Sequence, residues 1–200
     1  MKAIMISIKP KWVALEMNGI KNIEVRNTAP KDWKDYLSGK TKEMPKPIDV
    51  YIYCSKGNKK NWHLIEVVDT DTGWKGYEYD YYIGSKEYLE HCLESKVVAK
   101  FTLNKVEEID SWYHLSKDDF AKTCLTISEL VNYIGNFEIG YAWHISNLVI
   151  FDKPKELSEF FPYCKDTKCE YRKNHCSICH REPLNKAPQS WCYIESEEEK

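Results

Sequence analysis

The sequence predicts an α+β fold, in which a mixed β-sheet forms a barrel with a few short helices on its flanks. Strand-like segments recur along the chain without the regular alternation of strands and long helices that a doubly wound sheet requires. The chain has 200 residues, of which 42% are hydrophobic and 14% aromatic. This composition is sufficient for one packed core with an appendage.

The first elements are predicted to be a strand, a helix and a second strand. Residues 3–8 form an apolar strand, and Pro10 suits the first turn of a helix that Gly19 would end. Residues 22–28 alternate apolar and charged side chains, which is typical of a strand with one buried and one polar face.

The remaining helices are predicted from their ends. Thr126 and Glu129 have the spacing of a capping box, and Gly135 would stop the helix that follows. Residues 31–47 are predicted to form a loop or a short helix, and another short helix follows Pro154. Further strands are predicted over residues 48–54, 97–109, 141–151 and 189–195, before a solvated acidic tail.

Residues 56–96 do not resemble a core element. This stretch contains two tryptophans and several tyrosines among glycines and charged residues. It is predicted to be an insertion over a sheet edge, and its aromatic content is equally compatible with a lid.

Charge and cysteine content limit the functional classes. A formal net charge of −2 provides no overall basic field, which argues against tight, non-specific binding to long duplexes. No apolar run approaches the thickness of a bilayer, so a cytoplasmic protein without membrane contact is expected. In that reducing compartment, the eight cysteines favour metal binding over a disulfide framework.

Lys21, Glu24 and Arg26 form the first candidate site. Glu24 and Arg26 are two residues apart on a predicted strand and therefore project from one side, while Lys21 precedes them in an exposed turn. The group could be an ordinary surface ion pair. It could also be a polar cleft in which the guanidinium of Arg26, the first arginine of the chain, binds a phosphate or a base edge.

The same residues carry a family resemblance. The motifs I-K-P at residues 8–10 and G-x-K-x-x-E-x-R at residues 19–26 resemble the opening signature of the ASCH domain family, which is related to PUA domains. The strands at residues 97–101 and 141–145 lie where barrel strands of that family are expected. The resemblance covers residues 1–152 and is interrupted by the insertion.

The resemblance implies a PUA-like barrel over residues 1–152 whose cleft, lined by this turn and strand, binds RNA or a nucleobase. Some relatives are amidohydrolases that act on acetylated cytidine through a lysine, a threonine and a glutamate, and others are ribonucleases. Here Glu24 replaces that threonine, which makes the specific deacetylation doubtful. If the chain is an enzyme, Lys21 and Glu24 are the expected catalytic residues, with a third glutamate among Glu66, Glu107 and Glu108.

An aromatic strand supplies the second candidate site. Alternation places Trp143 on one face of residues 141–146 and His144 on the other. A ring that faces the cleft would stack on a base. The alternative is that Trp143 is a core residue and His144 a hydrogen-bonded structural residue.

The cysteine cluster near the C-terminus supplies the third candidate site. Its spacing, C-x4-C-x6-C-x2-C, and its polar composition predict one tetrahedral, structural zinc ion in a knuckle within residues 153–200. Free thiols, a disulfide, a redox pair, or ligation by His175 or His180 are the alternatives. The predicted ligands are Cys164, Cys169, Cys176 and Cys179, whereas Cys54, Cys92, Cys124 and Cys192 are expected in the core.

These observations together predict an RNA- or nucleobase-binding domain with a structural zinc site. A hydrolase acting on a modified nucleoside or RNA is the first alternative. A regulatory module that binds a protein partner through its knuckle is the second.

Overall fold

The computed structural model describes residues 1–57, 62–69, 71–73, 75–81, 92–110, 115–135, 138–164 and 182–196. The chain divides into two compact units. The first unit contains Met1–Asn18, Asp49–Phe101 and Val149–Lys200. The second unit contains Gly19–Ile48 and Thr102–Leu148.

The described elements confirm the α+β class. The helices are α1 (Pro10–Met17), α2 (Lys31–Leu37), α3 (Lys117–Lys122) and α4 (Ile127–Ile134), with a 3₁₀ turn at Leu157–Glu159. The strands are β1 (Lys2–Ile8), β2 (Ile23–Arg26), β3 (Ile48–Cys54), β4 (Trp62–Val68), β5 (Lys75–Tyr81), β6 (Lys96–Ile109), β7 (Gly140–Lys155) and β8 (Trp191–Glu195). None of the helices in these ranges is long and apolar enough to cross a bilayer.

The main sheet is mixed and open. Its six strands follow the order β2-β7-β6-β3-β1-β8, and β1 pairs in parallel with β3 and antiparallel with β8. The predicted closed barrel is therefore wrong for the described residues, since no ladder joins β2 to β8. One reason lies at β8, whose outer edge is already occupied: Tyr163 N donates to Tyr193 O, and Glu195 N donates to Phe161 O. A short segment that contains Pro162 covers this edge and leaves no site for another strand.

In the first unit, β4 and β5 form a separate two-stranded sheet, and hydrogen bonds connect the end of α1 to β5. The side-chain amide of Asn18, at the C-terminal cap of α1, donates to Tyr77 O at 2.7 Å and accepts from Tyr77 N at 3.1 Å. Part of the predicted insertion is therefore a regular hairpin-like sheet. Residues 58–61 and 82–91 lie outside the described ranges, and the lid function stays a prediction.

In the second unit, helix α4 packs on one face of β2 and β7. Its predicted capping box is confirmed, because Thr126 Oγ1 accepts from Glu129 N and Glu129 Oε2 accepts from Thr126 N. Leu130 and Ile134 from this helix form a core with apolar residues of the sheet, namely Ile23, Val25, Ile109 and Ala142. Gly19 has φ +69°, and this left-handed turn leads into β2.

Two local predictions need correction. Strand β2 was expected to have one polar face, but all four of its residues are buried. Helix α3 was not predicted; the signal for it is Ser116, whose hydroxyl accepts from Asp119 N as an N-terminal cap.

The predicted boundary between the domains at residue 152 stays a prediction.

Candidate ligand site on strands β2 and β7

The structure brings Lys21, Glu24 and Arg26 together into one ion-pair group in the second unit. Glu24 lies between the two cations: its Oε2 is 2.7 Å from Lys21 Nζ, and its Oε1 is 2.8 Å from an Arg26 terminal nitrogen. Lys21 Nζ also donates to the backbone carbonyl of Ile23. With two cations and one anion, the three side chains carry a formal charge of +1.

These charges are almost completely buried. The side chains of Lys21, Arg26 and Glu24 are 2%, 7% and 9% exposed. The expectation that Lys21 projects from an exposed turn is therefore wrong, and a surface ion pair does not describe the group. Removing ionised side chains from water costs several kcal/mol per ion, and apolar residues of similar volume are often at least as stabilising. Stability alone therefore gives little reason for this group to be ionic.

The register of β2 and β7 defines the surroundings of the group. Glu24 lies opposite Trp143, and Arg26 lies opposite Tyr141. Side chains of directly opposed residues project from the same face of an antiparallel ladder, so both rings lie on the face of the ion-pair group. Trp143 is fully buried, whereas Tyr141 is partly exposed. The more accessible ring beside Arg26 is therefore that of Tyr141, which sequence reasoning did not select.

His144 belongs to the opposite face of the sheet. It lies opposite Ile23, which packs in the core beneath α4. Its Nε2 is 2.5 Å from Glu107 Oε2, and Lys105 Nζ is 2.9 Å from the same carboxylate oxygen. The structure therefore does not bring His144 together with the ion-pair group, and its predicted ligand contact would be independent of Arg26.

The three candidate glutamates lie in different surroundings. Glu66 is on β4 in the first unit, 3.5 Å from Lys75 Nζ, and Glu107 is paired with His144. Glu108 follows Glu107 on β6, and because side chains alternate along a strand, it projects from the other face of the sheet. Burial, followed by the charge of Glu108, raises the pKa of the Tyr141 hydroxyl, which places Glu108 near this ring. Within the second unit, Glu108 is therefore the candidate that lies on the side of Arg26.

The Glu107 carboxylate gives this unit a pH-dependent contribution to stability. Burial alone raises its pKa, but hydrogen bonds and charges from Lys105 and His144 outweigh burial, so the pKa lies below its ordinary value of 4.5. A carboxyl whose pKa is lower in the folded state stabilises the fold above its unfolded pKa, and this stabilisation is lost as pH falls through the folded pKa.

We expect the melting temperature of the Glu107→Gln variant to fall less steeply than that of the parent when the pH is lowered from about 6 to about 3. Differential scanning fluorimetry across this range measures the slope. Glu78→Gln, at an exposed position on β5, is the matched control and should retain the slope of the parent. Identical slopes for all three proteins would contradict a paired Glu107.

The predicted zinc ligands are only partly within the described residues. Cys164 is buried, and its backbone N donates to Glu195 Oε1 at 3.4 Å. Cys169, Cys176 and Cys179 lie outside the described ranges. Among the cysteines expected in the core, Cys54 is fully buried, which confirms that expectation. The others, Cys92, Cys124 and Cys192, are only partly buried.

Comparison with known proteins identifies the fold. No family model and no curated protein matches the sequence. Among solved structures, the chain is similar to the ASCH protein from Zymomonas mobilis with a TM-score of 0.50 and 12% identity, over 96% of this chain and 87% of that chain. A single-residue variant of that protein gives a TM-score of 0.51 at 12% identity, over 98% of this chain and 91% of that chain. The chain therefore has an ASCH-like fold.

Proposed function

We propose that this chain binds RNA, or a nucleobase or nucleoside ligand, beside the ion-pair group of Lys21, Glu24 and Arg26. The observation that carries the proposal is the burial of three ionisable side chains within six residues of the sequence, at 2–9% exposure. Such groups are costly for stability and are therefore candidates for a functional role. The similarity to ASCH structures supports the fold in which this site lies.

The chemistry of the group suits a ligand with oxygen acceptors and an aromatic ring. A guanidinium presents donors in a planar fork that matches a phosphate or the edge of a base, and Glu24 holds this fork in place at 2.8 Å. The Tyr141 ring opposite Arg26 offers a surface on which a base can stack, with a benefit of about 1–3 kcal/mol. Recognition would therefore combine one anion or base edge with one stacked ring.

We expect Arg26→Lys to weaken binding by about 10- to 150-fold, equivalent to the loss of one charge-assisted hydrogen bond of about 1.5–3 kcal/mol. Lysine keeps the charge but loses the fork. The measurement is fluorescence anisotropy with labelled single-stranded RNA oligonucleotides, with calorimetry for free nucleosides. The matched control is Arg181→Lys, the same substitution outside the described residues, which should bind like the parent. Equal affinities for the parent and Arg26→Lys would contradict the site.

Hydrolysis of a modified nucleoside or RNA is the alternative outcome of the same experiment. The contact between Lys21 Nζ and Glu24 favours it, because the lysine and the following acidic residue of the motif do meet. Chromatography of the incubated ligand separates the cases: binding leaves the ligand intact, whereas hydrolysis yields product that disappears in the Lys21→Met variant. A protein-interaction module would show neither affinity for these ligands nor product.

We also propose that Cys164, Cys169, Cys176 and Cys179 hold one structural zinc ion. Four thiolates complete a tetrahedral shell and leave no position for water, so this ion would order the segment and supply no chemistry to the ligand site. Buried Cys164 supports an inward-facing ligand at the start of the cluster. Reduced thiols of this kind are expected in the cytoplasm, where we place the chain.

A further inference from the structure

The first unit contains a group of side chains that could hold a metal ion and that differs in sequence from the C-terminal cysteines. The ligand atoms of His63, Cys92 and Glu94 all lie within 4.8 Å of one another. His63 belongs to β4, and the other two residues precede β6. The sequence alone predicts Cys92 in the core, and no sequence motif connects this cysteine with a histidine 29 residues earlier in the chain.

Strand pairing explains why the three side chains converge. Ile65 and Cys92 form an antiparallel bridge, and Leu93 N donates to Leu64 O at 3.0 Å. The same register places His63 opposite Glu94. Because side chains alternate along a strand, His63 and Glu94 project from the same face as the bridged pair.

One carboxylate oxygen of the cluster has no hydrogen-bond partner within the part of the chain that the structure describes. The side chain of Glu94 is 9% exposed and therefore 91% buried. Its Oε1 accepts from Leu64 N at 3.1 Å and lies 3.4 Å from His63 Nδ1. Its Oε2 is buried and has no hydrogen-bond partner among the described residues. A buried carboxylate oxygen without a partner is costly, and a cation would satisfy it.

We propose that His63, Cys92 and Glu94 bind one zinc ion, with a fourth position left for water or another ligand. A thiolate, an imidazole and a carboxylate are the ligand types that zinc accepts. Their combined charge of −2 neutralises a divalent cation. Ligands at zinc bond lengths of about 2.0–2.3 Å are about 3.3–3.8 Å apart in a tetrahedron, and His63 Nδ1 already lies 3.4 Å from the Glu94 carboxylate, at its Oε1. The ion would join β4 to the segment that leads into β6.

The test compares the zinc content of the full-length parent and of Cys92→Ser, purified from zinc-supplemented medium and measured by elemental analysis. Cys92→Ser should carry about one ion per chain less than the parent, whether or not the C-terminal cysteines bind a second ion. The matched control is Cys192→Ser, which removes a thiol on β8 and should keep the zinc content of the parent. Equal zinc content in the parent and Cys92→Ser would overturn the proposal.

Cobalt substitution provides a second readout that does not depend on counting ions. In a full-length chain carrying Cys169→Ser, Cys176→Ser and Cys179→Ser, added Co²⁺ should still give a thiolate-to-cobalt absorption band. Glu94→Gln in this background should weaken Co²⁺ binding by at least about 100-fold, since even loss of outer-shell partners costs 10- to 100-fold. Absence of the band in a folded background protein, or a band unchanged by Cys92→Ser, would also overturn the proposal.

Discussion

Glu24→Gln should lower the free energy of unfolding by about 3–5 kcal/mol, the cost of leaving buried charges without their partner. Glu24 lies between Lys21 and Arg26 at 2.7 Å and 2.8 Å, and both cations are at most 7% exposed. Glutamine keeps the shape of the side chain but removes the charge that compensates them. Urea denaturation, monitored by tryptophan fluorescence, measures the effect.

One control variant separates the effect of burial from the effect of charge. Asp119→Asn removes one partner of the Lys122 pair, which has the same kind of contact at 2.8 Å but lies on the surface of α3. This exposed pair should contribute far less to the free energy of unfolding than the buried group, because solvent screens its two charges. If Glu24→Gln lowered the free energy of unfolding as little as Asp119→Asn does, the buried ion-pair group would contribute little to stability. The burial on which the proposed ligand site rests would then be contradicted.

Replacing the whole group should have a different result. A triple variant with Lys21→Met, Glu24→Leu and Arg26→Met removes all three charges together. Apolar side chains of similar volume in place of a buried ionic group are often neutral or stabilising. We expect the triple variant to fold with nearly the stability of the parent and to lose binding of the nucleic-acid ligand. A stable triple variant that still binds RNA would assign the ligand to another surface.

The strand and helix boundaries were largely predictable because they depend on local patterns. Residues 48–54 form β3 as predicted, and the capping box of Thr126 begins α4. Such features depend on side-chain alternation, on caps and on the residues within one turn. The order of strands depends on long-range pairing, so neither the open sheet nor the segment at Pro162 that covers β8 was evident.

The same distinction applies to the candidate site. The convergence of Lys21, Glu24 and Arg26 followed from a spacing of a few residues, but their burial did not, because it depends on what packs against β2. Side-chain alternation already placed Trp143 and His144 on opposite faces of their strand. Only the register of β2 and β7 shows which face carries the ion-pair group, since Trp143 lies opposite Glu24 and His144 lies opposite Ile23 on the core face. The pairing of His63 with Glu94 likewise requires knowledge of a bridge between Ile65 and Cys92.

Removal of zinc from the C-terminal cluster should loosen residues 164–181 and leave the second unit folded. The segment is rich in charged and polar residues, so burial of its own side chains contributes little against the entropy of ordering it, roughly 1–2 kcal/mol per residue for the backbone. Structural zinc contributes on the order of 10 kcal/mol in isolated finger peptides, which is enough to order a loop of this size. Zinc affinity should fall in acid because the thiolates must be deprotonated.

Hydrogen–deuterium exchange with mass spectrometry measures this effect on the parent, on chelator-treated protein and on Cys176→Ser. We expect faster exchange in the peptides that cover residues 164–181 after either treatment, with little change in α4 and β7. Cys124→Ser, a substitution of the same type at a cysteine outside the cluster, is the control and should exchange like the parent. Cys92→Ser separates the two zinc proposals, because it should leave exchange at residues 164–181 unchanged while Cys176→Ser increases it. Slow exchange that persists in Cys176→Ser, together with an unchanged zinc content, would show that these four cysteines do not hold a structural ion.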